Sequence, residues 1–378
     1  MKIGVDAHTI EKEEKLGAGG NYLGALLKQW SKLDPAKYRF ILYFKERIPQ
    51  DDFLNSPVFE KKIAVNLFKI KSLALFYNLS LPLLAKKDEV DVLFLPYYMR
   101  PFFCWTPTIT AIHDISYEAH PEWVHWKYGL PQRLLSRLAA QTSRFLITCS
   151  QFSKQEIIEY YKVPAERVKM IYLGASHDFT NHRDEVKISE IKKKYGLSDK
   201  YFFYNGSMFS RRHILESLQA FELLLKDYPD YQFLVSGRDL TFPAQNIDNF
   251  IKKINKNFPN AIKRVRYIDY EDLCLAYQGA ELFIWLSEYE GFGLPVLEAM
   301  SCGTPVLTIN KTSLAEVTGG SAFYVDNPND FREIRNMMAR AITQKDLRKN
   351  IIENALEQAK KFSWEKCAEE TLKVIVGD

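Results

Sequence analysis

Short apolar segments alternate with longer segments of helical periodicity along the chain. In the first half, the strand-like segments are KIGVDA, YRFILYF, DVLFLP, TITAIHD, RFLITCS and VKMIYLG, which have the length and the β-branched and aromatic content of buried strands. The segments at 22–31, 72–85, 134–142 and 154–161 have helical spacing instead. This alternation predicts a parallel sheet with helices on both faces, which is a doubly wound α/β domain.

The second half repeats this pattern after a polar segment. Residues 175–195 lack a strand-like apolar run, so we expect the interdomain linker there. Beyond it, YFFYNGS, YQFLVSG, VRYID, LFIWLS and PVLTIN again alternate with helical segments. We therefore predict Rossmann-like domains at 1–175 and 195–360, followed by a C-terminal helix at 361–378 that Ser363 caps.

Composition and charge narrow the class of protein. A chain of 378 residues exceeds what one hydrophobic core usually serves, and 47% hydrophobic with 26% charged residues is typical of globular proteins. The net charge of +4 is too small for a nucleic-acid-binding protein. The five cysteines have no C-x-x-C spacing, and the N-terminal MKIGVDAHTI lacks the apolar core of a signal peptide. We therefore expect a cytoplasmic protein without a disulfide framework or a structural zinc site.

The segment EYEGFGLPVLEAMSCGTP is the most informative one for function. Seven residues separate Glu290 from Glu298, and the glycines between them permit a tight turn from the strand LFIWLS into a helix. The turn residues Phe292, Gly293 and Leu294 would aim the unpaired N–H groups of the helix at an anionic phosphate. Glu290 would then bind sugar hydroxyls and Glu298 a ribose diol. Two solvated carboxylates on an ordinary strand, turn and helix are the alternative.

This segment resembles the signature of the retaining glycosyltransferases of family 4, also called glycosyl transferases group 1. The family's Glu-x7-Glu motif matches EGFGLPVLE almost residue for residue, and the resemblance covers essentially the whole chain. It implies a GT-B fold, in which two Rossmann-like doubly wound domains face each other across a cleft. It also implies a nucleoside-diphosphate sugar donor, retention at the anomeric carbon, no metal requirement and a terminal helix, FSWEKCAEETL, that crosses back to the first domain.

A second candidate segment, GSMFSRRHI, follows the strand YFFYN. Two adjacent arginines after Gly206 and Ser207 suit a diphosphate, because a guanidinium offers a planar fork of donors to phosphate oxygens. Without further context, a pair of arginines before a helix is more often solvated. In the resembled family this loop reads G-x4-R-K-N, and its two cations neutralise the leaving diphosphate. The resemblance gives those roles to Arg211 and Arg212, with Arg in place of Lys and His213 in place of Asn.

The first domain supplies a glycine-rich segment, LGAGGNY, after its first strand. Glycines let backbone amides approach a phosphate or a sugar closely. The resemblance implies that a loop carrying Gly17, Gly19 and Gly20 abuts the donor phosphates and the acceptor. From the residues alone, a flexible surface loop is an equal alternative.

The first domain also supplies polar and aromatic residues after the strand TITAI. Many members of the resembled family carry a His-Asp pair at the place of His113 and Asp114. His113 is expected to bond a hydroxyl of the donor sugar, and Asp114 and Trp123 are expected at the acceptor, on which an aromatic ring can stack. A structural histidine and ordinary aromatic packing are the alternatives.

The resemblance thus implies a retaining, metal-independent hexosyltransferase, and the matching segments make Glu290, Arg211, Arg212 and His113 its expected catalytic residues. GDP-mannose is the first expected donor, and a saccharide or lipid-linked saccharide in bacterial polysaccharide assembly is the expected acceptor. No Asp-x-Asp motif for a metal-bridged diphosphate occurs, and no cofactor is expected. A nucleotide-sugar epimerase of the same fold and a non-enzymatic sugar-nucleotide-binding protein are the alternatives.

Peripheral contact with an anionic membrane surface is a further hypothesis. The stretch SLALFYNLSLPLLA is too short to span a bilayer, and it is explained either as a helix packed on the sheet or as an interfacial helix. A lipid-linked acceptor would explain why basic residues lie around this stretch. These residues are Lys61, Lys62, Lys69, Lys71, Lys86 and Lys87.

Overall fold

A computed structural model describes residues 1–11, 17–64 and 72–377. These residues divide into two compact units, one of Met1–Gly174 with Ser363–Asp378 and the other of Ala175–Phe362. Lys69 and Lys71 lie outside the described residues.

The first unit is built on a sheet of parallel strands. Within the described residues these are β1 (Lys2–Asp6), β2 (Arg39–Phe44), β3 (Phe59–Ile63), β4 (Val92–Leu95), β5 (Thr108–Ala111), β6 (Phe145–Thr148) and β7 (Val168–Met170). Their order is β3-β2-β1-β4-β5-β6-β7, so the strand order reverses between β1 and β4. Val5 of β1 pairs with Leu42 on one side and with Phe94 on the other. Ligands of doubly wound sheets bind at such a reversal, outside the carboxyl ends of the strands.

Helices connect the strands of the first unit. They are α1 (Gly17–Trp30), α2 (Leu73–Leu75), α3 (Leu81–Lys87), α4 (Ser116–Ala119), α5 (Trp126–Thr142) and α6 (Gln151–Tyr161), and a π-helical turn at Phe76–Ser80 joins α2 to α3. Phe76, Tyr77 and Leu81 are buried against Ile41 and Leu93 of the sheet. One face of the apolar stretch therefore packs on the sheet, as helical spacing of its large side chains requires.

Gly17, Gly19 and Gly20 do not lie in a loop. They belong to the first turn of α1, so the prediction of a loop at this place was wrong. Glycine clusters usually indicate loops, but the first turn of a helix tolerates them and leaves its N–H groups unpaired.

The second unit is built on another sheet of parallel strands. Within the described residues these are β8 (Tyr201–Asn205), β9 (Gln232–Ser236), β10 (Ile262–Val265), β11 (Leu282–Trp285), β12 (Val306–Thr308) and β13 (Phe323–Tyr324). The order is β10-β9-β8-β11-β12-β13, and it reverses between β8 and β11. Phe203 of β8 pairs with Phe283 of β11 beside this reversal.

Eight helices of the described part of the chain belong to the second unit. They are α7 (Glu185–Tyr195), α8 (Ile214–Leu224), α9 (Ile247–Asn257), α10 (Tyr270–Gly279), α11 (Leu294–Ser301), α12 (Thr312–Thr318), α13 (Phe331–Thr343) and α14 (Lys345–Ala359). The segment expected as a linker contains α7, which starts at an Asp184 cap and ends at Gly196 with a φ of +66°. Its polar composition reflects an exposed helix.

The last helix, α15 (Trp364–Val376), belongs to the first unit and packs on α1. The indole N–H of Trp30 donates to the carbonyl of Ala368 at 3.0 Å. Gly174 passes so close to this helix that a Cβ would lie 2.3 Å from the backbone nitrogen of Trp364. None of the helices in the described ranges is both long and apolar enough to span a bilayer.

Candidate active site

The basic and acidic segments of the second unit meet at the reversal of its sheet. The loop after β8 carries the arginine pair, and the loop after β11 carries Glu290. Because β8 and β11 are neighbouring parallel strands, both loops leave the same edge of the sheet.

Gly206 begins the first of these loops. Its φ is +147°, and a Cβ there would lie 2.8 Å from Cη2 of Trp285 at the end of β11. Only a glycine fits without displacing the indole. The close approach lets the loop fold back over the Trp285 ring.

Arg212 is the most constrained side chain of the site. Its Nε donates to Oε1 of Glu290 at 2.9 Å, and its Nη1 donates to the carbonyl of Ser207 at 2.7 Å. The guanidinium lies over the Trp285 ring at 4.2 Å, and the Arg212 and Glu290 side chains are each only 12% exposed. A planar cation suits this place, because stacking and two directed hydrogen bonds are needed together.

Arg211 is held beside this pair. Its Nε donates to the carbonyl of Tyr289 at 3.3 Å, and its guanidinium lies 4.5 Å from the centre of the Phe209 ring. The structure thus brings together Arg211, Arg212 and Glu290, as the sequence patterns predict.

His213, which stands where the resembled family has Asn, occupies the left-handed region with a φ of +48° and precedes α8. Asn and His are among the side chains that tolerate this conformation best. Burial would lower the pKa of His213, but Glu216 at 3.6 Å and Glu288 at 3.2 Å outweigh it and raise the pKa to about 9. The ring is therefore a cation near neutral pH.

The Glu290 loop leads into α11 through Gly293, whose φ is +103°. A Cβ at Gly293 would lie 2.7 Å from Cδ2 of Leu314. The hydroxyl of Ser313 lies 2.7 Å from the carbonyl oxygen of Glu290 and 3.0 Å from that of Phe292, and it can donate to either. The start of α12 thus fixes the shape of this loop.

Phe292 and Leu294 flank Gly293 differently. The Phe292 ring is buried and packs edge-on against Phe362, with 5.6 Å between the ring centres. Leu294 is the first residue of α11 and is followed by Pro295, which has no N–H. The N–H groups of Val296 and Leu297 donate to the carbonyl of Gly293 at 3.0 and 3.2 Å, so the first turn offers the N–H of Leu294 to a ligand. An anion placed there would be favoured by the helix dipole.

Glu298 lies in the second turn of α11. The hydroxyl of Tyr277 donates to its Oε2 at 3.0 Å. Desolvation by burial raises the pKa of Glu298 to about 7, although the bond from Tyr277 acts in the opposite direction. A carboxylate with hydrogen-bonding capacity and a pKa near neutrality is typical of a functional site.

The residues predicted in the first unit, His113, Asp114 and Trp123, each contact a different neighbour. The His113 ring packs edge-on against Tyr22 at 4.6 Å, and desolvation lowers its pKa to about 4, so it is neutral at pH 7. Asp114 accepts a hydrogen bond from the backbone N–H of Ser116 at 2.9 Å. Trp123 stacks on His120 with 3.8 Å between ring centres, which covers one face of the indole.

Sequence reasoning missed a polar cluster at the end of β1. Asp6 is fully buried, and it accepts hydrogen bonds from the Tyr77 hydroxyl at 2.5 Å and from the His8 ring at 2.8 Å. Burial opposes protonation of His8, but the Asp6 carboxylate raises its pKa above the usual value. The signal was present in the strand-end sequence DAH, since polar residues at the end of a central parallel strand are ligand-binding candidates.

A basic pair, a helix N-terminus and two glutamates at the reversal of a doubly wound sheet define a site for an anionic, hydroxyl-rich ligand such as a sugar nucleotide. Residues 38–179 match the model of Glycosyltransferase Family 4, and residues 187–358 match that of Glycosyl transferases group 1. O-antigen chain mannosyltransferase B of Escherichia coli is 34% identical over 268 residues, covering 70% of this chain and 68% of that protein. The chain belongs to this family of glycosyltransferases.

A further relative is longer than this chain. The serotype-specific mannosyltransferase WbdA of Escherichia coli is 30% identical over 260 residues, covering 68% of this chain. The match covers 32% of WbdA, so the chain spans about a third of that relative.

Solved structures resemble the chain over its full length. HepE of Anabaena in complex with UDP-glucose superposes with a TM-score of 0.74 at 17% identity and covers 100% of each chain. WaaG, a glycosyltransferase involved in lipopolysaccharide biosynthesis, gives 0.72 at 18%, again with full coverage of both chains. The GT-B fold that the resemblance implied is therefore confirmed.

Proposed function

We propose that this glycosyltransferase moves a mannosyl group from GDP-mannose to a saccharide or lipid-linked saccharide acceptor, with retention of the anomeric configuration and without a metal ion. The observation that carries the proposal is the Glu290–Arg212 pair, with Arg211 beside it, next to the N-terminus of α11. This arrangement suits a diphosphate joined to a sugar better than either part alone.

The diphosphate would be bound by Arg211, Arg212 and the N–H of Leu294 at the start of α11. Negative charge develops on the leaving diphosphate as its bond to the anomeric carbon breaks. Cations and dipoles fixed in advance stabilise that charge more in the transition state than in the bound donor. Arg212 is fixed in this way by Trp285 and by the carbonyl of Ser207.

The two glutamates would bind hydroxyl groups on either side of the diphosphate. Glu290 has one oxygen bonded to Arg212, and its carboxylate can accept a further bond from a donor-sugar hydroxyl. Glu298, in the second turn of α11, would accept bonds from the ribose diol. Glu290 precedes the start of α11 in the chain and Glu298 follows it. In the donor, the sugar and the ribose likewise lie on either side of the diphosphate.

We assign the retaining reaction to a front-face displacement. The acceptor hydroxyl forms a bond to the anomeric carbon on the face from which the diphosphate departs, and the departing phosphate oxygen takes the hydroxyl proton. No nucleophilic carboxylate is required in this course. His113, neutral at pH 7, would offer a hydrogen bond to the donor sugar rather than a charge.

The names of the relatives support the choice of sugar and the biological setting. Two Escherichia coli relatives are mannosyltransferases, one of them of the O-antigen chain. We therefore place this chain in bacterial surface-polysaccharide assembly, at work in the cytoplasm where nucleotide sugars are available.

Thermal-shift titration with a panel of nucleotide sugars tests the donor assignment. The panel contains GDP-mannose, GDP, GDP-fucose, UDP-glucose and ADP-glucose, and the unmodified chain is compared with Glu298→Gln. GDP-mannose should raise Tm most, because at equal ligand concentration the stabilisation of the folded state grows with the logarithm of affinity, and the variant should respond less. A larger shift with UDP-glucose, or no shift with any member, contradicts the assignment.

A further inference from the structure

One surface of the first unit exposes large apolar side chains on two neighbouring segments. Along α2 and the π-helical turn, Leu73, Leu75 and Leu79 are exposed, whereas Phe76 and Tyr77 are buried. The segment between β4 and β5 adds Phe102, which is 57% exposed, Phe103, which is 83% exposed, and Trp105, which is 62% exposed. We call these six residues the apolar face.

Two contacts bring these segments side by side. The backbone N–H of Phe102 donates to Oδ1 of Asn78, which lies between the exposed leucines, at 2.9 Å. Near the end of α3, the Lys86 ammonium lies 4.5 Å from the centre of the Trp105 ring. The apolar face is therefore one surface that follows the helix.

The outward direction of the aromatic rings follows from their neighbours. Cys104, between Phe103 and Trp105, packs inward against the cluster that contains Phe76 and Leu81. The residues on either side of Cys104 are thereby turned to solvent. Exposed apolar surface of this extent is characteristic of an interaction site.

Exposed Lys86 and Lys87 lie at the edge of the apolar face, and neither the 72–87 nor the 101–105 segment contains Asp or Glu. Of the acidic residues that follow them, Asp88 is paired with Lys62 and Glu89 lies 3.8 Å from Lys2. Lys62, by contrast, is paired with Asp88 at 2.5 Å and with Glu60 at 3.1 Å. The positive charge available at this surface is thus on Lys86 and Lys87.

We propose that the apolar face docks on an anionic lipid bilayer. Phe and Leu side chains would enter the boundary between headgroups and acyl chains, and Trp105 suits that depth because it has an apolar body and a polar N–H. Lys86 and Lys87 would stay at the level of the lipid phosphates. This proposal uses only the exposed apolar and basic side chains of the first unit. Its test therefore does not depend on the donor and acceptor proposed above.

Vesicle flotation tests this proposal with the full chain and without any substrate. At low salt the protein should float with vesicles of equal parts phosphatidylcholine and phosphatidylglycerol and much less with phosphatidylcholine alone. The double variants Phe103→Ser/Trp105→Ser and Lys86→Gln/Lys87→Gln should each weaken partitioning at least about tenfold, since each basic residue contributes about a factor of five and buried aromatic area contributes as well. All replaced side chains are exposed, and an unchanged Tm verifies that the variants fold.

Trp126→Ser is the matched control. Trp126 is 68% exposed and has Lys127 at 5.9 Å from its ring, so it resembles Trp105 but lies on α5. This variant should float like the unmodified chain. Full flotation of either double variant overturns the proposal, and so does an equal loss of flotation in Trp126→Ser. Flotation that is independent of phosphatidylglycerol, or absent altogether, overturns it as well.

Discussion

At the scale of single residues, the site depends on a guanidinium that has several tasks at once. Arg212 stacks on Trp285, donates to the Ser207 carbonyl and pairs with Glu290. A lysine could pair with Glu290, but it has no plane to stack and no fork of donors. This explains why Arg suits a position where the family usually has Lys. The contacts could not be predicted from the sequence, because Trp285 was recognisable only as a strand residue.

Removal of either charged group should lower turnover strongly. We expect Glu290→Ala and Arg211→Ala each to reduce kcat by at least ~100-fold, because loss of one charge-stabilising contact in such a site costs a few kcal/mol. Steady-state kinetics with the proposed donor, GDP-mannose, measures the effect. Glu353→Ala on the exposed side of α14 serves as the control and should have normal turnover. Near-normal turnover in folded Glu290→Ala contradicts the assigned role.

The raised pKa of Glu298 predicts a pH-dependent donor affinity. With a pKa of about 7, the free protein holds this carboxyl mostly protonated at pH 6 and mostly ionised at pH 8. Because the ionised form accepts hydrogen bonds from a diol, affinity should rise about tenfold from pH 6 to pH 8. The diphosphate diester of a nucleotide sugar does not titrate in this range. Isothermal titration calorimetry should show this rise for the unmodified chain and a flat profile for Glu298→Gln; an equal slope in both rules the role out.

At the scale of elements, the alternation of strands and helices was predictable because buried parallel strands are short, apolar runs. The turn from β11 into α11 was also predictable, since its glycines and proline have few other uses in that order. The start of α1 and the helix α7 were not, because glycine-rich or polar composition resembles a loop. Ser313 could not be found either, since a serine 23 residues from Glu290 gives no sign of bonding to its carbonyl.

Ser313 should therefore act through the shape of the Glu290 loop. Ser313→Ala removes the hydroxyl that donates to the carbonyl of Glu290 or of Phe292, which should cost about 1–3 kcal/mol of stability and weaken binding of the nucleotide sugar about tenfold. Thermal unfolding and donor titration measure the two effects. Ser301→Ala removes a hydroxyl that bonds only within α11, at 2.9 Å from the Leu297 carbonyl, and should leave donor binding intact. Equal losses of donor affinity in both variants would show that Ser313 has no particular effect on the loop.

At the scale of the whole molecule, the family and the GT-B fold follow from motifs spread over both halves of the chain. The two arginines of the second unit lead to a prediction about metal ions. Because Arg211, Arg212 and the α11 N-terminus neutralise the diphosphate in the proposed mechanism, turnover should be unchanged in EDTA. The assay compares EDTA-treated protein with and without added magnesium or manganese. Complete loss in EDTA that either metal restores would show that the diphosphate is bound through a metal.

The most direct test of the central claim is the reaction itself. The chain is incubated with GDP-mannose, with and without a mannose-terminated acceptor, while GDP release and the anomeric NMR signals of the product are recorded. The proposal predicts GDP release that depends on the acceptor and a new α-linked mannosyl residue, with the configuration of the donor retained. A β-linked product would contradict retention, and donor consumption without any need for an acceptor would contradict transfer.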